Sequence, residues 1–164
     1  MTSQGTGATR KLRVLVIDDS ALFLRAARNV LSEVPEVAVA EYVTSGAAAL
    51  ARMAAFCPDL VLVDIMMSGM NGFEVLRALR GRAQVPRMYA ITMHDSDEFL
   101  AEAINSGAAG LIPKREFAER VGPLIAELAR TETDIDDKRN GHYANNPSKA
   151  NRVEEGAHGH HRLR

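Results

Sequence analysis

Apolar and polar positions along the chain fall into two kinds of block that take turns. Short unbroken apolar runs bounded by turn-forming residues alternate with longer segments whose apolar residues recur every third or fourth position, the signatures of buried strands and amphipathic helices. The first run, 12–17, is apolar on both faces from Val14 onward, which predicts a central parallel strand. Ser20 is placed to cap a helix striped by Leu22, Phe23, Ala26, Ala27, Val30 and Leu31, with Pro35 marking its far side. A second strand over 37–43 carries fewer bulky residues and reads as nearer an edge. Thr44 or Ser45 then opens an alanine-rich helix through Phe56, built on Ala48, Leu50, Ala51, Met53 and Ala54 and stopped by Pro58.

The third strand, 60–64, climbs straight into a single acid, Asp64, followed by the flexible segment 68–72. A helix over 73–79 uses Phe73, Val75, Leu76 and Leu79, and Gly81 ends it. The fourth strand covers 88–92. Ser96 starts a helix running to 106, with Leu100, Ala103 and Ile104 inward and Gly107 supplying a left-handed terminus. A fifth strand over 109–112 ends at Pro113-Lys114. The last helix begins near Glu116 and carries Phe117, Val121, Leu124, Ile125 and Leu128. Pro123 inside that pattern should kink the helix or shift its start.

Five strands alternating with five helices through short connections predict an α/β, doubly wound parallel sheet with right-handed crossovers. Residues 11–130 form the globular unit, and 1–10 read as a flexible N-terminus. The span 131–164 has only Ile135, Val153 and Leu163 as aliphatic residues. It cannot repay the entropy of ordering and reads as a disordered tail. For its histidines, His142, His158, His160 and His161, adventitious metal binding is the most the spacing supports.

Composition changes this picture little. The 164 residues are 46% hydrophobic and 25% charged, with a formal net charge of −1. That balance gives no reason to expect nucleic acid or an anionic membrane as partner. No apolar stretch approaches the roughly 18 residues of a membrane span, and 1–10 lack a signal-peptide core. A cytoplasmic protein is expected. Cys57 is alone and reads as a small buried hydrophobe.

Ligands of an open parallel sheet bind beyond the carboxyl ends of its strands. Those tips carry Asp18 and Asp19, Asp64, Thr92 and Lys114. Taken singly, each has a plain alternative: Asp18-Asp19 as helix-capping acids, Thr92 as a turn residue, Lys114 as a surface lysine. An acid buried on the central strand costs several kcal/mol without a partner. The combination at four tips is therefore the signal. Three neighbouring carboxylates repel one another, and a hard cation such as Mg²⁺ resolves the repulsion. Asp19 and Asp64 are the expected direct ligands, with Asp18 binding directly or through water and the carbonyl of Met66 completing the set. Lys114 and Thr92 suit the oxygens of a phosphoryl group carried on Asp64 as an acyl phosphate.

The stretches VLVIDDSALF, VDIMMSGMNGFEVL, ITMHDSDEF and AAGLIPK resemble the receiver domains of two-component response regulators, most nearly the NarL/FixJ-like class. The resemblance covers residues 11–130. It implies a CheY-like sheet of order 2-1-3-4-5, and phosphorylation of Asp64 by a histidine kinase or phosphotransfer protein with Mg²⁺ bound. By the same likeness Asp18 and Asp19 are the acidic metal pair, Thr92 the hydroxyl switch and Lys114 the phosphoryl contact. Signalling would pass through the face of the fourth helix, fifth strand and fifth helix, including Phe99, Ile104, Leu111 and Phe117. A downstream protein or a second copy would read that face. The 34 residues after 130 are too few and too polar for a helix-turn-helix unit, so a stand-alone receiver and a fragment of a longer chain both stay open.

Three positions depart from the family pattern. Ser68 replaces the usual Pro, which predicts a less rigid loop. Leu111 stands where an aromatic ring is usual, which weakens the hydroxyl–aromatic coupling. Arg115 follows Lys114 in place of a Pro, so a trans link with a rearranged loop, or a strained one, is expected. Met93 narrows the entrance, and His94 is either a solvated loop residue or a gate on water. Met66, Met67 and Met70 read as loop packing. Two other functions stay in view: a degenerate receiver acting as a phosphate-independent interaction or dimerisation module, and a Mg²⁺-dependent phosphohydrolase.

Overall fold

The computed structural model describes residues 9–141, with side chains described through Thr131. The elements are β1 (Leu12–Ile17), α1 (Ala21–Ser32), β2 (Val37–Val43), α2 (Gly46–Phe56), β3 (Leu60–Asp64), α3 (Gly72–Arg80), β4 (Arg87–Thr92), α4 (Asp97–Ser106), β5 (Gly110–Pro113) and α5 (Phe117–Gly141). The strands form one sheet in the order β2-β1-β3-β4-β5, and every pairing is parallel. The parallel, doubly wound sheet is the one expected from the element order, and its strand order is the one the resemblance implied. The reversal between β1 and β3 creates a crevice at their carboxyl ends.

β3 is buried at all five positions, and β1 from Val14 onward. Alternate residues of these strands serve two separate cores. Leu15, Ile17, Val61 and Val63 pack with α2, α3 and α4, while Val14, Val16, Leu60 and Leu62 pack with α1 and α5. A strand feeding cores on both sides has no face for polar residues, which explains its unbroken apolar run.

Four helices are started by side chains at the strand-tip end. Ser20 Oγ accepts the Phe23 N–H at 3.3 Å, Ser45 Oγ that of Ala48 at 3.1 Å, and Ser96 Oγ that of Phe99 at 3.4 Å. Asn71 and Glu74 form a reciprocal capping box on α3. At the opposite end arginines satisfy helix-terminal carbonyls, Arg13 on Phe56 at 2.8 Å and Arg80 on Asn105 at 2.7 Å. A groove of about 1240 Å³ lies at that end, remote from the strand tips.

Several helical details differ from expectation. In α1 the buried residues are Leu24, Ala27 and Leu31, while Leu22 is 77% exposed. The stripe is rotated because Leu24 and Leu31, seven residues apart, share the inward face with Ala27. In α4 only Ala103 and Ser106 are buried; Leu100 and Ile104 lie outward. Phe117 belongs to the α1–α5 core, not to the surface. Cys57 is exposed, in a left-handed conformation that terminates α2. Pro123 does not delay the start of α5: a 3₁₀ turn, Lys114–Glu116, leads into a helix that begins at Phe117 and continues through Pro123 to Gly141. The peptide bond between Lys114 and Arg115 is trans. Arg10, expected in a loose segment, pairs with Asp59 at 2.6 Å. Residues 1–8 and 142–164, including all four tail histidines, lie outside the described residues. Among the described residues no helix is long and apolar enough to cross a membrane.

Candidate functional site

Asp64 is the last residue of β3 and only 3% exposed. Its Oδ1 accepts the N–H of Met66 at 3.0 Å. The chain turns sharply behind it. A Cβ on Gly72 would stand 2.3 Å from the carbonyl oxygen of Asp64, so α3 can begin this close to the strand tip only with glycine there. Gly69, at φ +73°, makes the preceding turn.

Asp18 follows β1 and is fully buried. Its Oδ1 accepts the Ser20 N–H at 2.8 Å. Lys114, at the end of β5, places its ammonium 2.7 Å from Asp18 Oδ2 and 3.1 Å from Asp64 Oδ2. Asp18 Oδ2 is buried, and the Lys114 ammonium is its close partner among the described residues. Burial pushes the Asp18 carboxyl up from its ordinary value, and the Asp64 charge adds to this. Lys114 and the Ser20 amide oppose the shift without cancelling it. Burial alone would lower the Lys114 ammonium, but the two carboxylates outweigh it and raise the group.

Asp19 is exposed, and its Oδ2 accepts both the Ser68 N–H at 2.9 Å and the Ser68 hydroxyl at 3.2 Å. One oxygen from each of Asp18, Asp19 and Asp64 lies within 4.8 Å of the others. Three carboxylates meet one ammonium. That deficit of positive charge fits a hard divalent cation held by oxygen. The loop after Asp64, expected to loosen without proline, is instead tied to Asp19 through Ser68.

Thr92 ends β4, fully buried, one residue beyond the pairing of Asp64 with Ile91 and opposite Pro113 of β5. Its hydroxyl accepts the N–H of His94 at 2.9 Å. Met93 is 67% exposed. The His94 ring stacks on Phe99 at 6.0 Å, and Phe99 stacks on Phe73 at 6.4 Å. Leu111, opposite Ala90, is half-buried against the α2–α3–α4 core. Met66 is exposed on the loop after Asp64, Met70 sits at its rim, and Met67 is buried.

Two contacts escaped the sequence reading. Phe23 lies under the Lys114 ammonium, 4.7 Å from ring centroid to nitrogen, and is braced edge-on by Phe117 at 5.2 Å. Its place in the helical stripe marked it only as core. Arg115 joins Asp95 at 2.5 Å, tying the loop after Thr92 to the turn after Lys114. A separation of twenty residues gave no signal for that pair. Ile65 and Met66 follow Asp64, and the short segment 65–71 joins β3 to α3.

The model of the response regulator receiver domain matches residues 14–124. Among curated proteins, the transcriptional regulatory protein NarL of Mycobacterium tuberculosis is 33% identical over 120 residues, covering 73% of this chain and 56% of that protein. Protein-glutamate methylesterase/protein-glutamine glutaminase 5 of Myxococcus xanthus is 36% identical over 120 residues, covering 71% of this chain and 34% of that one. The chain thus spans about a third to a half of the length of these relatives. Among solved structures, the receiver domain of the M. tuberculosis NarL superposes with a TM-score of 0.67 at 34% identity, covering 74% of this chain and 98% of that one. With an acidic cluster at the sheet's switch point and a lysine bridging two of its members, the chain belongs to the response regulator receiver domain family and carries the architecture of phospho-aspartate signalling.

Proposed function

We propose that Asp64 is the phosphoacceptor of a cytoplasmic receiver, charged by a histidine kinase or phosphotransfer protein. The observation that carries this is the single ammonium of Lys114 lying 2.7 and 3.1 Å from Asp18 and Asp64 at the sheet's switch point. A carboxylate oxygen of Asp64 attacks phosphorus, and the bond from phosphorus to the donor's imidazole nitrogen breaks. That nitrogen keeps the electron pair and takes a proton from solvent. Asp18, Asp19, Asp64 and the Met66 carbonyl are the groups that would hold Mg²⁺, whose charge offsets that of the transferring phosphoryl group. Lys114 supplies a second positive charge beside the reacting carboxylate.

Thr92 is the switch residue. Its hydroxyl turns from the His94 amide toward the phosphoryl oxygens, and the released His94–Phe99 stack carries the change into α4. The exposed Leu100 and Ile104 then alter the surface read by a partner protein or a second copy. The two states must differ in affinity for that partner, since equal binding transmits nothing. Leu111 supports a second reading, a phosphate-independent interaction module, because it offers no ring to follow Thr92.

Incubation with Mg²⁺ and a small acyl phosphate donor, followed by intact mass, separates the two. One added phosphoryl group on the wild type and none on D64A is expected. A wild type that gains nothing from any donor leaves only the interaction module.

A further inference from the structure

Ser68 occupies the rim of the acidic site on the loop between β3 and α3, and it makes two hydrogen bonds to one atom. Both its backbone N–H and its hydroxyl donate to Asp19 Oδ2, at 2.9 and 3.2 Å. Asp19 is the exposed member of the three acids, while Asp18 and Asp64 are buried and each receives a backbone N–H from two residues further along the chain. An exposed aspartate samples several rotamers and loses that freedom when it ligates a metal. The clamp from Ser68 fixes the Asp19 carboxylate by one oxygen, and the other oxygen receives no protein donor among the described residues.

We infer that Ser68 is a positioning residue for the cation site: it pre-sets Asp19 so that Oδ1 faces the cation while Oδ2 stays bonded to the loop. The inference rests on the reading of Asp18, Asp19 and Asp64 as a Mg²⁺ site. It adds a residue that touches neither cation nor phosphoryl group. Outer partners of this kind orient a ligating carboxylate, and losing them typically weakens metal affinity by about 10- to 100-fold. The two bonds come from chemically separate donors, which makes the role divisible. Ser68→Ala deletes the hydroxyl and keeps the N–H. Ser68→Pro deletes both donors while leaving a residue suited to a turn. Ser68→Thr keeps both.

The test is Mg²⁺ titration of the unphosphorylated full chain, followed by the ¹⁵N–¹H shifts of residues 19 and 64–68 and by calorimetry. The expected order of dissociation constants is wild type and S68T equal, S68A weaker by about threefold, and S68P weaker by about tenfold. At saturating Mg²⁺ the phosphorylation rate of S68A should return to the wild-type value, because only cation capture has changed. Wild type and D64A that both fail to bind Mg²⁺ would overturn the metal reading itself. Wild type that binds, with S68A and S68P binding equally well, would overturn the role of Ser68 alone. S68T serves as the folding control, and unperturbed thermal midpoints of S68A and S68P exclude a merely unfolded loop.

Discussion

The tips of β1 and β3 and the tips of β4 and β5 meet at one site, yet they are built on different terms. Each carboxylate of the first pair is pinned by an amide two residues ahead or by Ser68 across the crevice, so Asp18, Asp19 and Asp64 have little room to move. On the second pair, Thr92 is held by one hydrogen bond from a loop amide, and Lys114 by ionic contacts and an aromatic face. Fixed acids capture charge reproducibly, whereas a hydroxyl with a single replaceable bond can change partner when charge arrives. On the proposed function, charge capture belongs to the rigid half and switching to Thr92, while Lys114 serves the phosphoryl transfer from the second half.

Removing Lys114 tests the boundary between the halves and should have the largest effect. K114M strips the bridging ammonium from two buried carboxylates, and phosphoryl uptake should fall by about 100-fold or more, the scale of losing a preorganised charge at a reacting centre. The same variant should bind Mg²⁺ more tightly, since the ammonium no longer competes for Asp18 Oδ2. Stopped-flow uptake and a Mg²⁺ titration read the two effects. Weaker Mg²⁺ binding would mean that Lys114 organises the acids instead of competing with the cation.

Asp18→Asn probes the cost of the rigid half. The carboxyl of Asp18 is raised in the fold by burial, so its contribution to stability is full below its unfolded value near 3.9 and is lost as pH rises through the folded value. At neutral pH without metal the charged group is therefore a liability. D18N should raise the thermal midpoint by a few degrees, corresponding to about 1 kcal/mol, and the gain over wild type should vanish below pH 4. A gain that persists in acid would assign the effect to something other than this charge. D18N should also lose most Mg²⁺ affinity.

How much of this was legible in the sequence follows the same division. Strands buried on both faces leave a dense apolar signal, so β1, β3 and the acids at their tips were readable from local pattern alone. α1 and α4 misled because a helix stripe with extra apolar residues fits more than one rotation. Leu22, Leu100 and Ile104 satisfied the spacing but face outward. Cys57 misled for another reason: its place after α2 demanded a left-handed terminus, and that requirement outranked burial. Contacts that join distant loops, Ser68 with Asp19 and Arg115 with Asp95, have no periodicity and appear only when the tips are assembled. Phe23 shows the mixed case, visible as apolar and silent about the ammonium above it.

That ring offers a finer probe of the second half. F23L keeps the packing volume close but removes the π face under Lys114, an interaction of about 0.5–1 kcal/mol. Phosphoryl uptake should slow by about two- to fivefold, with F23Y restoring it and Mg²⁺ affinity unchanged in both. Equal slowing in F23L and F23Y would show a packing defect and not a cation–π contact.

The smallest expected effect concerns what leaves the site, and it separates reaction from readout most sharply. Phe99 touches no acid, so F99L should take up phosphoryl groups at the wild-type rate and bind Mg²⁺ equally well. It does, however, remove the ring between His94 and Phe73, a stacked pair of contacts worth about 0.5–1.5 kcal/mol beyond burial. If Thr92 works through the His94 loop, phosphorylation of wild type should shift the amide resonances of 97–106, and F99L should retain less than about half of those shifts, as expected when a coupling of that size is lost. Full shifts in F99L would move the signal path to Leu111 and β5. In that case the half-buried leucine, despite lacking a ring, would be the element that follows the hydroxyl.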